Sequence, residues 1–170
     1  MEDLKLAFTK TYEEHSDALF RYCYFRVSDR EKALDLVQDV FTKTWHYIQE
    51  GNTVENIRAF LYTTARHLII DEYRKKKNLS LDALVDQGVE PSISIMTSLE
   101  TSIDAALAIE EVKKLPEAYS EILFMRYVSD MSVQDIAEAL KLSENVVSVR
   151  IHRGMALLRK NMKHTFPNPE

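Results

Sequence analysis

The strongest constraint on the fold comes from residues 132–160, which contain two helical patterns separated by only three residues. Ser132 is a candidate N-cap of the first helix, with Asp135 at the position where a capping box usually has glutamate. The apolar pattern of this helix stops at residues 141–143, which predicts a tight turn. The apolar side chains recur at the i, i+3, i+4 and i+7 spacing of one helix face and are Val133, Ile136, Ala137 and Leu140.

A second helix with a basic outer face is predicted after this turn. Ser143 can cap it, and Glu144 places a negative charge in the first turn, which the helix dipole favours. A short helix, a tight turn and a longer basic helix are typical of a helix-turn-helix that enters the major groove of DNA. The alternative is a helical hairpin with a solvated basic face. Val147, Ile151 and Leu158 form the apolar face, and the candidate DNA-binding residues are Asn145, Ser148, Val149, Arg150, His152, Arg153 and Lys160.

The remainder of the chain is also predicted to be helical, so the fold class is all-α. Only three glycines and four prolines occur in 170 residues, and no segment alternates as a strand would. No apolar run approaches the roughly 18 residues of a membrane span, and the N-terminus lacks a signal segment. Cys23 is the single cysteine and is predicted to be a buried thiol. These features favour a soluble cytoplasmic protein with no membrane partner.

The net charge of −5 is distributed unevenly along the chain. Residues 56–77 and residues 141–170 each carry an excess of four positive charges, whereas residues 78–111 contain seven acidic and no basic residues. Local charge, and not the total, determines whether a surface attracts phosphates. The sequence therefore indicates two basic surfaces, each on a predicted helix, on either side of an acidic stretch.

Residues 3–49 are predicted to form two helices. The first spans residues 3–27 as one helix, and the sequence leaves open whether it is interrupted near His15. The second begins at Asp29 and has an apolar stripe that includes Phe41 and Trp45, both interpreted as core residues. The opposite side of this second helix is polar, and composition alone favours a solvated surface there; its residues include Asp35, Gln38, Asp39 and Thr42.

A third helix is predicted from Asn56 to Lys77, with a buried face formed by Ile57, Phe60, Leu61, Ala65 and Leu68. Arg58, Tyr62 and Arg66 recur every four residues on another face. Cations that follow a backbone and aromatic rings that stack on unpaired bases, at about 1–3 kcal/mol each, suit single-stranded nucleic acid. The alternative is a helix whose terminal cations balance its dipole. That alternative explains the last turn but not Arg58 and Arg66.

The domain organisation follows from these patterns. We predict a helical domain at residues 1–77, an acidic linker at 78–103, a four-helix domain at 104–164 and a tail at 165–170. The five histidines lie in unrelated contexts, and the chain contains no HExxH, CxxC, GxSxG or glycine-rich phosphate motif. We therefore expect no catalytic residues, no metal ligands and no cofactor.

Four stretches, taken together and in order, resemble the sigma-70 family of bacterial RNA polymerase sigma factors, in its small two-domain extracytoplasmic-function (ECF) type. The resemblance covers roughly residues 9–77 and 104–163. Val146 departs from the family pattern, because a threonine that contacts phosphate is usual there, and Gly154 replaces a small alanine. The four stretches are residues 35–41 with Trp45, residues 56–67 with Asp71 and Arg74, Leu115-Pro116 with the helix that follows, and residues 136–153.

This resemblance implies a protein that binds core RNA polymerase and promoter DNA. The polar side of the second helix, with Asp35, Gln38, Asp39 and Thr42, would bind the coiled coil of the polymerase clamp, and the polymerase flap is a further contact. The helix at 144–159 would read the −35 element as a duplex. The acidic linker would pass through the polymerase, and an anti-sigma factor is a further candidate partner. The loop at 51–56 and the third helix would melt and hold the −10 element as a single strand, through Asn52, Asn56, Arg58, Tyr62, Arg66, His67, Arg74 and Lys75.

Two other classes of protein remain as alternatives at this level. A LuxR-like transcriptional regulator would use residues 103–163 equally well without acting as a sigma subunit, but it does not explain the helices before residue 78. An adaptor that binds only protein needs neither basic surface. Binding to core polymerase distinguishes the first class from both alternatives.

Overall fold

The computed structural model describes residues 1–80 and 103–165, and the chain divides into two compact units, Met1–Val89 and Glu90–Glu170. Every regular element in the described ranges is a helix, which confirms the all-α prediction. The predicted linker lies outside the described residues except at its ends, and so does the tail from residue 166 onward. The first unit contains α1 (Glu2–Val27), α2 (Arg30–Gln49) and α3 (Ile57–Ser80), and the second contains α4 (Ile103–Lys113), α5 (Glu117–Tyr127), α6 (Val133–Leu140) and α7 (Glu144–Thr165).

Helix α1 is continuous through His15, which confirms the single helix predicted for residues 3–27. No proline or glycine occurs in residues 3–27, and the helix packs along both α2 and α3. Its inner side buries Leu19, Tyr22 and Cys23 completely. Burial raises the pKa of the Cys23 thiol to about 12 against a smaller opposing effect of Arg26, in agreement with the predicted buried cysteine. The core of the first unit therefore lies between three helices that contact one another pairwise.

The start of α2 agrees with the prediction made from Asp29. Ser28 ends α1 in a left-handed conformation, with φ 55°, and its amide donates to the carbonyl oxygen of Tyr24 at 2.8 Å. The side chain of Asp29 then accepts a hydrogen bond from the amide of Lys32 at 3.0 Å. This N-cap satisfies one of the free amides at the start of α2.

Helix α3 buries only part of the predicted face, since Leu61 and Ala65 are fully buried as expected. Ile57, Phe60 and Leu68 are only half-buried. The helix packs against both α1 and α2, so it buries residues on two sides and not along one stripe. The fully packed side chains of α3 are those of Ala59, Leu61, Tyr62, Ala65 and Ile69.

The second unit contains the predicted helix-turn-helix, with the predicted three-residue turn. The Ser132 hydroxyl accepts a hydrogen bond from the amide of Asp135 at 3.0 Å, which confirms the cap of α6. Lys141 ends α6 with a left-handed φ of 54°, and the amide of Leu142 donates to Ala137 at 2.9 Å. The Ser143 hydroxyl accepts from the amide of Val146 at 3.2 Å and so caps α7.

Gly154 lies where α7 crosses closely over α5. A Cβ atom at this position would lie 3.1 Å from Cδ1 of Leu123 and 3.2 Å from Cβ of Tyr119. Such distances are shorter than ordinary van der Waals contact, so the missing side chain allows the two helices to approach each other. Glycine costs up to about 1 kcal/mol relative to alanine inside a helix. The close contact between α7 and α5 explains why a glycine nevertheless suits this position.

We expect Gly154→Val to lower the free energy of unfolding by about 1–3 kcal/mol, because overpacking a filled contact forces neighbouring groups apart. Chemical denaturation followed by circular dichroism measures the change. The matched control is Ala156→Val, which adds the same side chain at an exposed position of α7. A Gly154→Val protein no less stable than the Ala156→Val control would show that the crossing tolerates a side chain.

Candidate nucleic-acid interface

The polar side of α2 forms an exposed surface, which we call the α2 outer face; it consists of Asp35, Gln38, Asp39 and Thr42. These residues share one side of the helix, since their spacing is i, i+3, i+4 and i+7. The opposite side is buried and includes Leu36, Val40 and Phe41. The sequence correctly indicated which side of α2 faces outward, while binding to polymerase stays a prediction.

An apolar groove borders the α2 outer face. It has a volume of about 490 Å³, and Gln38 and Thr42 contribute to its wall. Trp45 is only half-buried here, and its ring lies 4.9 Å from that of Phe8. Sequence reasoning missed the contribution of α1 to this surface, because only the packing of two helices brings the two sets of side chains together. The apolar lining consists of Phe8, Tyr12, Leu34, Val37, Phe41 and Trp45.

The basic end of α3 lies beside the acidic residues of the α2 outer face. Asp35 and Asp39 share the lining of a cleft of about 460 Å³ with Arg74 and Lys75. An ion pair between Lys32 and Glu72, at 2.9 Å, links α2 to α3 beside this cleft. Arg74 and Lys75 were predicted as part of the −10 surface, and the fold also places them next to the predicted polymerase surface.

The remaining basic residues of α3 form a partly exposed surface. Arg58 and Arg66 are half-buried, whereas His67 is exposed. Burial, and then the positive charge of the Arg58 guanidinium, lower the pKa of His15 on α1 from its usual value. This surface therefore combines side chains from α3 with the facing part of α1.

Tyr62 does not belong to this surface, so the prediction that its ring stacks on an unpaired base is wrong. The side chain is 2% exposed, and its ring centroid lies 5.0 Å from that of Tyr22 in the core. A four-residue spacing from Arg58 predicts a shared side of the helix, but α1 covers the part of that side where Tyr62 lies. A ring enclosed in this way cannot receive a base without unfolding its surroundings.

An aromatic pair that the sequence reasoning did not identify lies beside the loop between α2 and α3. The rings of Tyr47 and Phe60 are 4.9 Å apart, and Tyr47 is 38% exposed. The Asn52 side chain donates to the carbonyl oxygen of Tyr47 at 3.0 Å, and the Asn56 side chain accepts from the amide of Ala59 at 3.1 Å. Both asparagines were predicted to bind DNA, and the structure gives them loop-forming contacts. The available signal was that Tyr47 is an aromatic residue outside the apolar stripe of α2.

Helix α7 presents its predicted reading residues to solvent. Val147 and Leu158 are buried, and Ile151 and Arg150 are half-buried. Exposure of the remaining candidates agrees with the predicted orientation of the helix, and their binding to DNA stays a prediction. The exposed candidates are Asn145, Ser148, Val149, His152, Arg153 and Lys160.

The described residues offer neither a metal site nor a membrane-spanning helix. Among them, no group of three or more histidine, cysteine, aspartate or glutamate residues is placed to hold a metal ion. No helix in the described ranges is sufficiently long and apolar to cross a bilayer.

Comparison with known proteins matches each unit separately. Residues 11–79 match the family model of sigma-70 region 2, and residues 106–158 match that of sigma-70 region 4. The ECF RNA polymerase sigma factor SigW of Bacillus subtilis is 28% identical over 167 residues, covering 92% of this chain and 89% of SigW. SigL of Mycobacterium tuberculosis is 28% identical over 153 residues, covering 89% and 86% of the two chains.

Two solved structures have a similar helical fold. The sigma factor RpoE of Bartonella quintana, in complex with the anti-sigma factor NepR, has a TM-score of 0.73 at 21% identity and covers 92% of this chain and 97% of its own. CnrH, in complex with the cytosolic domain of CnrY, has a TM-score of 0.69 at 22% identity, with 94% and 90% covered. At these identities the likeness supports the fold alone.

Proposed function

Because the chain belongs to the ECF group of the sigma-70 family of RNA polymerase sigma factors, we propose that its two units bind two separate elements of a promoter. It is a sigma factor that acts in transcription initiation, and its partners are core RNA polymerase and promoter DNA. The observation that carries the proposal is that each basic helix belongs to its own unit, and that each unit matches a different sigma-70 region. We place this activity in the cytoplasm.

The first unit binds the polymerase and the −10 element. The α2 outer face binds the polymerase clamp, and the apolar groove beside it extends the contact, since exposed apolar surface rimmed by polar residues is typical of protein interfaces. The basic surface of α3 binds the backbone of the melted strand. The Tyr47–Phe60 pair takes the stacking role that was predicted for Tyr62, because Tyr47 has an exposed ring next to the loop.

The second unit binds the −35 element as a duplex. The N-terminal part of α7 enters the major groove, where Asn145, Ser148 and Val149 contact base edges. Arg153 and Lys160 lie farther along the helix and bind phosphates. The polymerase flap is a further partner of this unit.

An anti-sigma factor is also a proposed partner. The structurally similar sigma factor RpoE was solved in complex with the anti-sigma factor NepR, and CnrH was solved in complex with the cytosolic domain of CnrY. A regulator of this type would compete with polymerase for the surfaces of the free chain. To identify it, this chain is purified together with any bound partner, and core polymerase is then added. An anti-sigma factor should co-purify in stoichiometric amounts and should be displaced by core polymerase.

Arg153→Ala is expected to weaken duplex binding equally for all sequences and to lower the salt slope by about one unit, because it removes a phosphate contact. Asn145→Ala is expected to relax the choice of base at one position. Holoenzyme binding to a library of upstream duplexes at two salt concentrations measures both effects. If Arg153→Ala changed the preferred sequence while Asn145→Ala did not, this orientation of α7 would be incorrect.

A further inference from the structure

The outer face of α7 carries an apolar side chain, Val149, at its centre. Asn145 precedes it by one turn and His152 follows by one turn, and all three side chains are exposed. They lie opposite the buried Val147 and Leu158, and Val149 is 38% exposed. Val149 therefore places an apolar side chain at the centre of the face of α7 that is proposed to enter the major groove.

The chemistry of the major groove limits what Val149 can recognise. Its side chain has no hydrogen-bond donor or acceptor, so it cannot bind a phosphate or the polar edge of a base. The one apolar group among the base edges of the major groove is the C5-methyl group of thymine. Asn145 can make a bidentate contact with adenine, and it lies about 6 Å from Val149 along the axis, at roughly 1.5 Å per residue.

We propose that Val149 contacts the methyl group of a thymine in the −35 element and makes that base a determinant of promoter choice. The inference rests on the proposed function of α7 as the reader of the −35 duplex. Val146 provides a comparison within the same helix, because it has the same side chain and a similar exposure of 36%. It lies on the flank of the helix, on the side of Arg153, and so faces the sugar–phosphate backbone.

Deoxyuridine tests the proposal, because it removes the methyl group and leaves every hydrogen-bonding group of thymine in place. The holoenzyme first selects its preferred duplex from a random upstream library, and each thymine of that duplex is then replaced singly. Wild-type holoenzyme is expected to lose about fourfold in affinity at one thymine, as for one buried methyl group. Val149→Ala is expected to bind the thymine duplex about fourfold more weakly and to show no further loss on the deoxyuridine duplex.

The controls distinguish failure of the inference from failure of the proposed function. Val146→Ala is expected to retain the full deoxyuridine effect, and circular dichroism checks that both variants remain folded. If the selected duplex contains no thymine that responds, or if Val149→Ala retains the full deoxyuridine effect, the methyl contact is refuted and the role of α7 stands. If the holoenzyme selects no upstream sequence at all, the proposed function of α7 is refuted together with the methyl contact.

Discussion

Asp39→Arg combined with Gln38→Ala is expected to weaken binding to core RNA polymerase at least tenfold, while the folded chain remains as stable as the wild type. Both side chains are exposed on the α2 outer face, and surface changes usually alter stability by less than about 0.5 kcal/mol. Losing one partner of a buried, hydrogen-bonded charge pair at an interface costs about 2–5 kcal/mol, which exceeds the roughly 1.4 kcal/mol of a tenfold change. Fluorescence anisotropy of the labelled protein, titrated with core polymerase, measures the affinity.

The matched control is Glu13→Arg, which reverses an exposed charge on α1, outside the apolar groove. It is expected to bind core polymerase like the wild type, and its melting temperature should also be unchanged. An affinity of the double variant equal to that of this control would exclude the α2 outer face as the polymerase-binding surface.

Tyr47→Ala is expected to reduce promoter opening about tenfold or more while closed-complex binding remains near wild type. The variant removes an exposed ring that we propose stacks on an unpaired base, and such stacking contributes about 1–3 kcal/mol. No base is unpaired in the closed complex, so binding to the intact duplex does not depend on the ring. A fluorescent adenine analogue in the −10 element reports opening, and duplex binding at low temperature reports the closed complex.

Two further tyrosines distinguish stacking from general effects of the substitution. Tyr127→Ala removes an exposed ring from α5 and should leave opening unchanged. Tyr62→Ala removes a buried ring and should instead lower the stability of the first unit by about 3–5 kcal/mol, as for large-to-small changes in a core. If Tyr47→Ala opened the promoter as well as the wild type does, the unpaired base would have to stack on another surface.

The sequence predicted the ends of several helices because their signals are local. The hydroxyls of Ser132 and Ser143 cap α6 and α7 as their positions indicated, and Asp29 caps α2. Each cap depends on a side chain and an amide three residues away, so no knowledge of the tertiary fold is needed. Whether α1 continues through His15 was not settled by such local signals, and the structure shows a helix that packs against both α2 and α3.

The sequence could not predict which side of α3 would be available to DNA. Periodicity places Tyr62 on the same side as Arg58, but only the position of α1 determines that Tyr62 is enclosed against Tyr22. The groove beside the α2 outer face was missed for the same reason, since Phe8 and Trp45 come from different helices. Surfaces built by one helix were therefore predictable, whereas surfaces shared between helices were not.

A run-off transcription assay tests the central claim most directly. Purified protein is added to core RNA polymerase that lacks any other sigma factor, with a library of promoter templates. We expect transcripts from templates that share a −35 and a −10 element, and no transcripts from core polymerase alone. A LuxR-like regulator would instead require a holoenzyme that already contains another sigma factor. Transcripts that appear only when a second sigma factor is supplied would contradict the assignment of this chain as a sigma factor.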